Sequence, residues 1–240
     1  MRIETFFTVP EVDSGAIAGA SVVVIDVVRA TTTIIEALAN GARSILPTDT
    51  TEEAVRLASS LGREDTLLCG ERKGRKVEGF DLGNSPREFT REVVDDKKLV
   101  MSTTNGTRAL RSGQEGARLL PCAFTNLGAV ATEVANDDHL VIICAGQEDR
   151  FSFDDVLCAG HLIRRVLAAH VGEPVLNDAS WAARTLASAR KPTQKFLSAA
   201  AGGAALFEIG LEDDLAICAD VDRHDIVVQM SENTITRSGA

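Results

Sequence analysis

The chain has 240 residues, with 35 Asp and Glu against 25 Lys and Arg and a formal net charge of −10. Nucleic acid, whose backbone recruits clustered cations, is therefore not an expected partner, and a small polyanion would be repelled unless basic residues or a divalent cation gather at one site. The apolar runs at residues 22–25 and 140–145 fall far short of the roughly 20 residues that cross a bilayer, and Glu4, Glu11 and Asp13 stand where a signal peptide would be basic and then apolar, so the expectation is a cytoplasmic protein without a membrane partner.

Residues 2–9 read as a first strand and 10–19 as a loop. Residues 22–25, all β-branched, form a strand of the doubly buried kind, and residues 30–39 form a helix closed by Asn40-Gly41. The turn between them holds Asp26, Arg29, Thr31, Thr32 and Thr33, where first-turn N–H groups lack partners and the helix dipole favours an anion. Three β-branched threonines are a poor helix start on propensity alone. Two readings follow: the hydroxyls contact a bound anion, or the turn is an ordinary cap with Asp26 on turn amides and Arg29 at the surface.

Residues 43–46 make a strand, Thr50-x-x-Glu53 is a capping box for a helix ended by Gly62, and residues 66–69 make another strand. Residues 70–86 lack apolar periodicity and concentrate Arg72, Lys73, Arg75 and Lys76, which reads as a functional loop over a pocket or as a solvated surface loop. Ser85-Pro86-Arg87-Glu88 is a second capping box. After the strand at 99–101, the run Ser102-Thr103-Thr104-Asn105-Gly106-Thr107-Arg108 repeats the earlier grammar of strand, hydroxyl-rich turn and Arg inside a helix. Asn105-Gly106 is suited to positive φ, with successive N–H groups facing one concavity.

A strand at 118–120, a helix at 126–135 and a strand at 140–145 precede Ser152-Phe153-Asp154-Asp155, which opens a long helix to about His170. Asp154 and Asp155 either compensate the helix dipole or face Asp26 across a metal. The alanine-rich tail from 177 is helical, broken by Pro192 and Gly202-Gly203, and residues 214–219 and 226–230 look like short elements finishing the sheet. Strands alternating with helices predict one α/β domain over residues 1–240, with room for two lobes: a three-layer α/β/α arrangement around a largely parallel, mixed sheet. The turns after Ile25, Met101 and Ala145 belong at the carboxyl ends of strands, where such sheets bind ligands. They are expected to share one pocket.

The cysteines at 69, 122, 144, 158 and 218 have no C-x-x-C or zinc spacing and read as reduced, buried thiols. The histidines at 139, 161, 170 and 224 make no ligand set.

Five separated signatures resemble the 2-phosphosulfolactate phosphatase family of coenzyme M biosynthesis: residues 25–33, Gly70-Glu71-Arg72, residues 79–86, residues 103–108, and Cys144-Ala145-Gly146 with residues 151–155. The resemblance implies a three-layer α/β fold and a magnesium-dependent phosphatase that cleaves 2-phospho-3-sulfolactate to 3-sulfolactate and phosphate. Phosphate-ester hydrolysis places charge on the transferring oxygens and the leaving alkoxide, so fixed cations and a metal contribute most. On that reading Asp26, Arg29, Asn105 and Arg108 are catalytic. Thr31, Thr32, Thr33, Arg72, Thr103, Thr104, Gly106 and Thr107 bind the phosphate. Asp26, Asp155, Glu71 and Asp81, with Glu148, are candidates for Mg2+, and Asp26 is alternatively a nucleophile.

Two other readings stand beside it. Residues 144–150 fit C-x5-R, a thiol phosphatase with Cys144 as nucleophile, although Glu148 and Asp149 would oppose both thiolate and phosphate. A non-enzymatic anion-binding or sensor protein needs only the turns and arginines. The symmetry habits of soluble proteins point to a homodimer.

Overall fold

The computed structural model describes residues 1–239. The strands are β1 (Arg2–Phe6), β2 (Ser21–Ile25), β3 (Ser44–Pro47), β4 (Thr66–Arg72), β5 (Arg75–Lys76), β6 (Lys98–Ser102), β7 (Arg118–Cys122), β8 (His139–Cys144), β9 (Val175–Leu176), β10 (Val228–Ser231) and β11 (Thr234–Arg237). The α-helices are α1 (Ser14–Ile17), α2 (Ala30–Ala39), α3 (Thr51–Leu61), α4 (Arg91–Val94), α5 (Gly106–Ser112), α6 (Leu127–Glu133), α7 (Phe153–Ala169), α8 (Asp178–Ala189), α9 (Gln194–Ala199), α10 (Ala201–Ile209) and α11 (Asp214–Cys218).

All strands join one sheet in the order β5-β4-β6-β3-β11-β10-β7-β2-β8-β1-β9. Two parallel blocks, β4-β6-β3 and β7-β2-β8-β1-β9, flank the antiparallel hairpin β10-β11, which joins them through Met230 opposite Leu119 and Ile235 opposite Ile45. The hairpin closes in two residues because Glu232 and Asn233 both adopt positive φ, the twist that matches paired strands.

Alternation along β2 sorts the core. Val22 and Val24 face α2 and α5 on one side, and Val23 and Ile25 face α6, α7 and the C-terminal helices on the other. A smaller cluster packs α3 on β4 and β6 through Ala54, Ala58, Leu68 and Val100. The three-layer α/β expectation therefore describes the molecule. Four strands separate β2 from β6 in the sheet, yet the helices that follow them meet at their first turns.

Several local expectations change. The supposed loop at 70–86 begins as a hairpin, because β4 runs on to Arg72 and pairs back with β5. The tail's residues 214–218 are helix α11, outside the sheet. The turn at Ala200 separates α9 from α10, and α10 runs through Gly202-Gly203 without a break. Gly203 is needed there, since a Cβ would stand 1.9 Å from the Leu197 carbonyl oxygen. Asn105 lies in the right-handed helical region rather than at positive φ, and Gly106 already belongs to α5. Ser85 does not cap the short 3-10 turn Pro86–Glu88; its hydroxyl donates to Asp214 instead.

Candidate active site

The turns after β2, β6 and β8 meet at a cavity of about 410 Å³. The β4-β5 hairpin and α10 complete its wall, with Gly74 packed against Ile209. Asp26, Arg29, Glu71, Thr104, Asn105, Glu148 and Asp155 line the cavity, so residues more than a hundred positions apart share one rim.

Asp26 opens the turn that starts α2. Its Oδ1 accepts the Ala30 N–H at 3.1 Å, while Oδ2 has no hydrogen-bond partner and stands over Gly106. A side chain on Gly106 would put its Cβ 2.9 Å from that oxygen, so glycine is what lets α5 approach the acid. Burial pushes the Asp26 carboxyl up to about 7, aided by the charges of Asp154 and Glu71 and opposed by the Ala30 N–H and Arg29.

Asp155 ties two strand ends together: Oδ1 accepts the Val27 N–H at 2.8 Å and Oδ2 the Gly146 N–H at 3.1 Å. Burial, then the charges of Asp154 and Asp26, hold its carboxyl well above the usual range. Burial raises Asp154 as well, against a hydrogen bond from the Ser152 hydroxyl. Glu71 is anchored at both oxygens, by the Thr104 N–H and the Gly74 N–H, each at 2.7 Å. It thus fixes the hairpin to the turn after β6.

The threonine triplet does not face the cavity. Thr31 donates to the Asp26 carbonyl, Thr32 to the Val27 carbonyl and Thr33 to the Asn84 carbonyl, so each buried hydroxyl finds a backbone partner and none is left for an anion. These bonds compensate the poor helix start. The Thr107 hydroxyl likewise donates to the Thr103 carbonyl, while the Thr103 hydroxyl accepts the Thr107 N–H. Arg72 points out of the cavity, to Ser102 and the Asp49 carbonyl, and Asp81 is held by Arg63 and the Leu68 N–H. Arg108 sits at the surface, paired with Asp149 at 3.0 Å.

Arg29 lines the cavity but is buried, against the surface placement of the capping reading. Its Nη1 lies 2.8 Å from Asp214 Oδ2 and its Nη2 donates to the Gly74 carbonyl at 2.6 Å. Asp214 also accepts from Ser85 at 2.6 Å. Composition gave no sign of Asp214, which comes from the far end of the chain, nor of Asn84 and Gln147. Both are cavity-lining amides whose buried oxygens lack a hydrogen-bond partner. The motif residues 79–86 were visible in sequence; the inward direction of Asn84 was not.

The lining carries five carboxylates, Asp26, Glu71, Glu148, Asp155 and Glu208, against two cations, Arg29 and Lys73. Among the described residues no three His, Cys, Asp or Glu side chains form a group able to hold a metal ion alone. The donors are nonetheless hard oxygens in charge excess, and one, Asp26 Oδ2, is unengaged. That set fits Mg2+ bound through one or two carboxylates, with water and a phosphate filling the remaining positions.

Cys144 is fully buried at the end of β8, and burial together with Asp155, Asp154 and Glu11 pushes its thiol far up. Arg150 is exposed beyond a tight turn in which Glu148 and Asp149 take positive φ. The thiol-phosphatase reading has no accessible thiolate and no arginine facing one. No helix among the described residues is long and apolar enough to cross a membrane.

Residues 6–233 match the model of the family described as 2-phosphosulpholactate phosphatase. A protein of Clostridium novyi named probable 2-phosphosulfolactate phosphatase is 36% identical over 238 residues, covering 99% of this chain and 100% of its own length. A Pseudothermotoga lettingae protein of the same name is 41% identical over 207 residues, 85% of this chain and 87% of its own. One from Caldanaerobacter subterraneus is 35% identical over 243 residues, 99% of each chain. The chain belongs to the 2-phosphosulpholactate phosphatase family.

Proposed function

We propose that the protein is a magnesium-dependent phosphatase that hydrolyses 2-phospho-3-sulfolactate, or a closely related small phospho-acid, to the hydroxy acid and phosphate. The observation that carries this reading is Asp26: a buried carboxylate at the start of a helix, pinned through one oxygen and free at the other, within an acid-rich cavity at the strand ends. Such a cavity holds a phosphoanion only if a cation offsets its charge.

Asp26 would hold the magnesium through Oδ2, with Asp155 beside it. The bound metal would supply neutralisation of the phosphoryl oxygens and of the leaving alkoxide. Around it, the chain's own groups do the rest. Asp155 holds the turns after β2 and β8 at fixed separation, Glu71 holds the turn after β6, and Asp214 fixes the Arg29 guanidinium against the cavity wall, where its remaining N–H groups meet an anion. Asn105 stands at the cavity edge, where its amide would reach the phosphoryl group.

The test is a phosphate-release screen over phosphosulfolactate, phospholactate and phosphoglycerates, with magnesium and with EDTA. Release that depends on magnesium and is greatest for the sulfonated substrate supports the proposal. Release indifferent to EDTA, or none from any phospho-acid, overturns it; in the second case the anion-binding reading takes its place.

A further inference from the structure

The two cations of the cavity wall come from segments in contact. The Arg29 Nη2 donates to the Gly74 carbonyl at 2.6 Å, and Gly74 follows Lys73 at the tip of the β4-β5 hairpin. The tip is a two-residue turn between the paired Arg72 and Arg75, with Lys73 at φ 51° and Gly74 at φ 77°. It is fixed from two sides, by Glu71 accepting the Gly74 N–H at 2.7 Å and by Arg29 on the Gly74 carbonyl. Lys73, exposed at the cavity rim, enters no salt bridge among the described residues, whereas buried Arg29 is already paired with Asp214.

A third group belongs to the same side. Asn84 is 5% exposed, lines the cavity and leaves its amide oxygen without a partner. Its neighbour Ser85 bonds to Asp214, the carboxylate that holds Arg29, so Asn84 is one residue from the Arg29 network. No hydrogen bond fixes which way this buried amide faces; turned about its last bond, it offers N–H2 to an acid oxygen.

We propose that Arg29, Lys73 and Asn84 form a subsite for the acid group on the substrate's tail, a sulfonate or carboxylate, beside the carboxylates that face the phosphoryl end. This deepens the phosphatase reading and rests on it for the identity of the phosphoryl end alone. The tail subsite makes the enzyme selective for phospho-acids over simple phosphate esters, because buried Asn84 stays unpaired only with substrates that lack a tail acid, while the exposed Lys73 ammonium at the rim attracts those that carry one.

The probe is 3-sulfolactate, which carries both acid groups and no phosphate, with lactate as the arm that lacks the sulfonate. Calorimetric titration of the full chain in magnesium buffer is expected to show about tenfold weaker binding of 3-sulfolactate in Lys73→Met and in Asn84→Ala, with Lys73→Arg close to the wild type. A loss for 3-sulfolactate but not lactate assigns the subsite to the sulfonate, and an equal loss for both assigns it to the carboxylate. In turnover, the ratio of kcat/KM for phosphosulfolactate to that for 4-nitrophenyl phosphate is expected to fall about tenfold in Lys73→Met, through KM. Unaltered 3-sulfolactate affinity in both variants, or no wild-type binding at millimolar concentration, overturns the subsite. If no phospho-acid is hydrolysed while Lys73→Met still weakens 3-sulfolactate binding, the phosphatase reading fails and the subsite stands.

Discussion

Gly106 lies directly against Asp26. A Cβ at position 106 would stand 2.9 Å from Asp26 Oδ2 and 2.3 Å from the Ala30 Cβ, so the starts of α5 and α2 touch across the space where the acid projects. Gly106→Ala must separate the two helix starts. The expected result is a loss of stability of about 1–3 kcal/mol, as in other overpacked sites, together with a fall in kcat of at least about tenfold from misplacing Asp26. Urea denaturation and steady-state kinetics on the same preparation check both.

Asp26→Asn keeps the shape of the acid and removes its charge. Magnesium-dependent phosphate release should fall by about 100-fold or more, while the metal-free protein stays folded. Full magnesium-dependent activity in this variant would leave Asp26 with neither a ligand role nor a nucleophilic one.

The raised Asp26 carboxyl gives a pH dependence of definite sign. Its ordinary value of 3.8 is lifted to about 7, so between those values the folded protein binds more protons than the unfolded chain. The contribution to stability is fully present below about pH 4 and is lost as pH rises through about 7, at most about 1.4 kcal/mol per pH unit. In EDTA, wild-type stability should therefore drop relative to Asp26→Asn between pH 5 and pH 8, and magnesium should restore more at pH 8 than at pH 5. Denaturation midpoints at the two pH values, with and without magnesium, measure this.

Asp214 carries the buried end of a pair with Arg29, the side chains 0% and 3% exposed. Asp214→Asn leaves the guanidinium uncompensated, and breaking such a pair costs about 3–5 kcal/mol. Activity should fall with stability, although Asp214 does not line the cavity. A chemical-denaturation curve unmoved by the substitution would show that the pair contributes nothing.

Cys144→Ala should retain magnesium-dependent activity, because the thiol is buried among apolar neighbours and held protonated. A dead but folded Cys144→Ala protein would restore the thiol mechanism. Phosphate release and a circular dichroism spectrum suffice.

Much of this was legible along the chain. The β-branched run at 22–25, the capped helices and the strand-helix alternation gave the three-layer sheet because periodicity and turn chemistry are local properties. The same logic expected the turns after β2, β6 and β8 at one rim; parallel pairing accounts for β2 and β8, whereas β6 lies in the block that runs the opposite way across the β10-β11 hairpin, and its turn reaches the cavity through the packing of α5 on α2. It went astray where a side chain had a choice of partner. Thr31, Thr32 and Thr33 look like anion ligands in sequence, but burial obliged each hydroxyl to take the nearest carbonyl. Asp81 sits within a conspicuous motif, yet Arg63 and a strand amide claim it.

By itself, then, the order of residues determined the layered architecture and the adjacency of the turns after β2 and β8. Only the tertiary structure decided which side chains reach the cavity: Asn84 buried in its wall and Lys73 at its rim, Arg72 and Arg108 turned away, and Asp214 drawn in from the far end of the chain to hold Arg29. The physical reason is that secondary structure follows from short-range sterics and hydrogen bonding, whereas the direction of a polar side chain is set by competition among partners that folding brings together from remote positions.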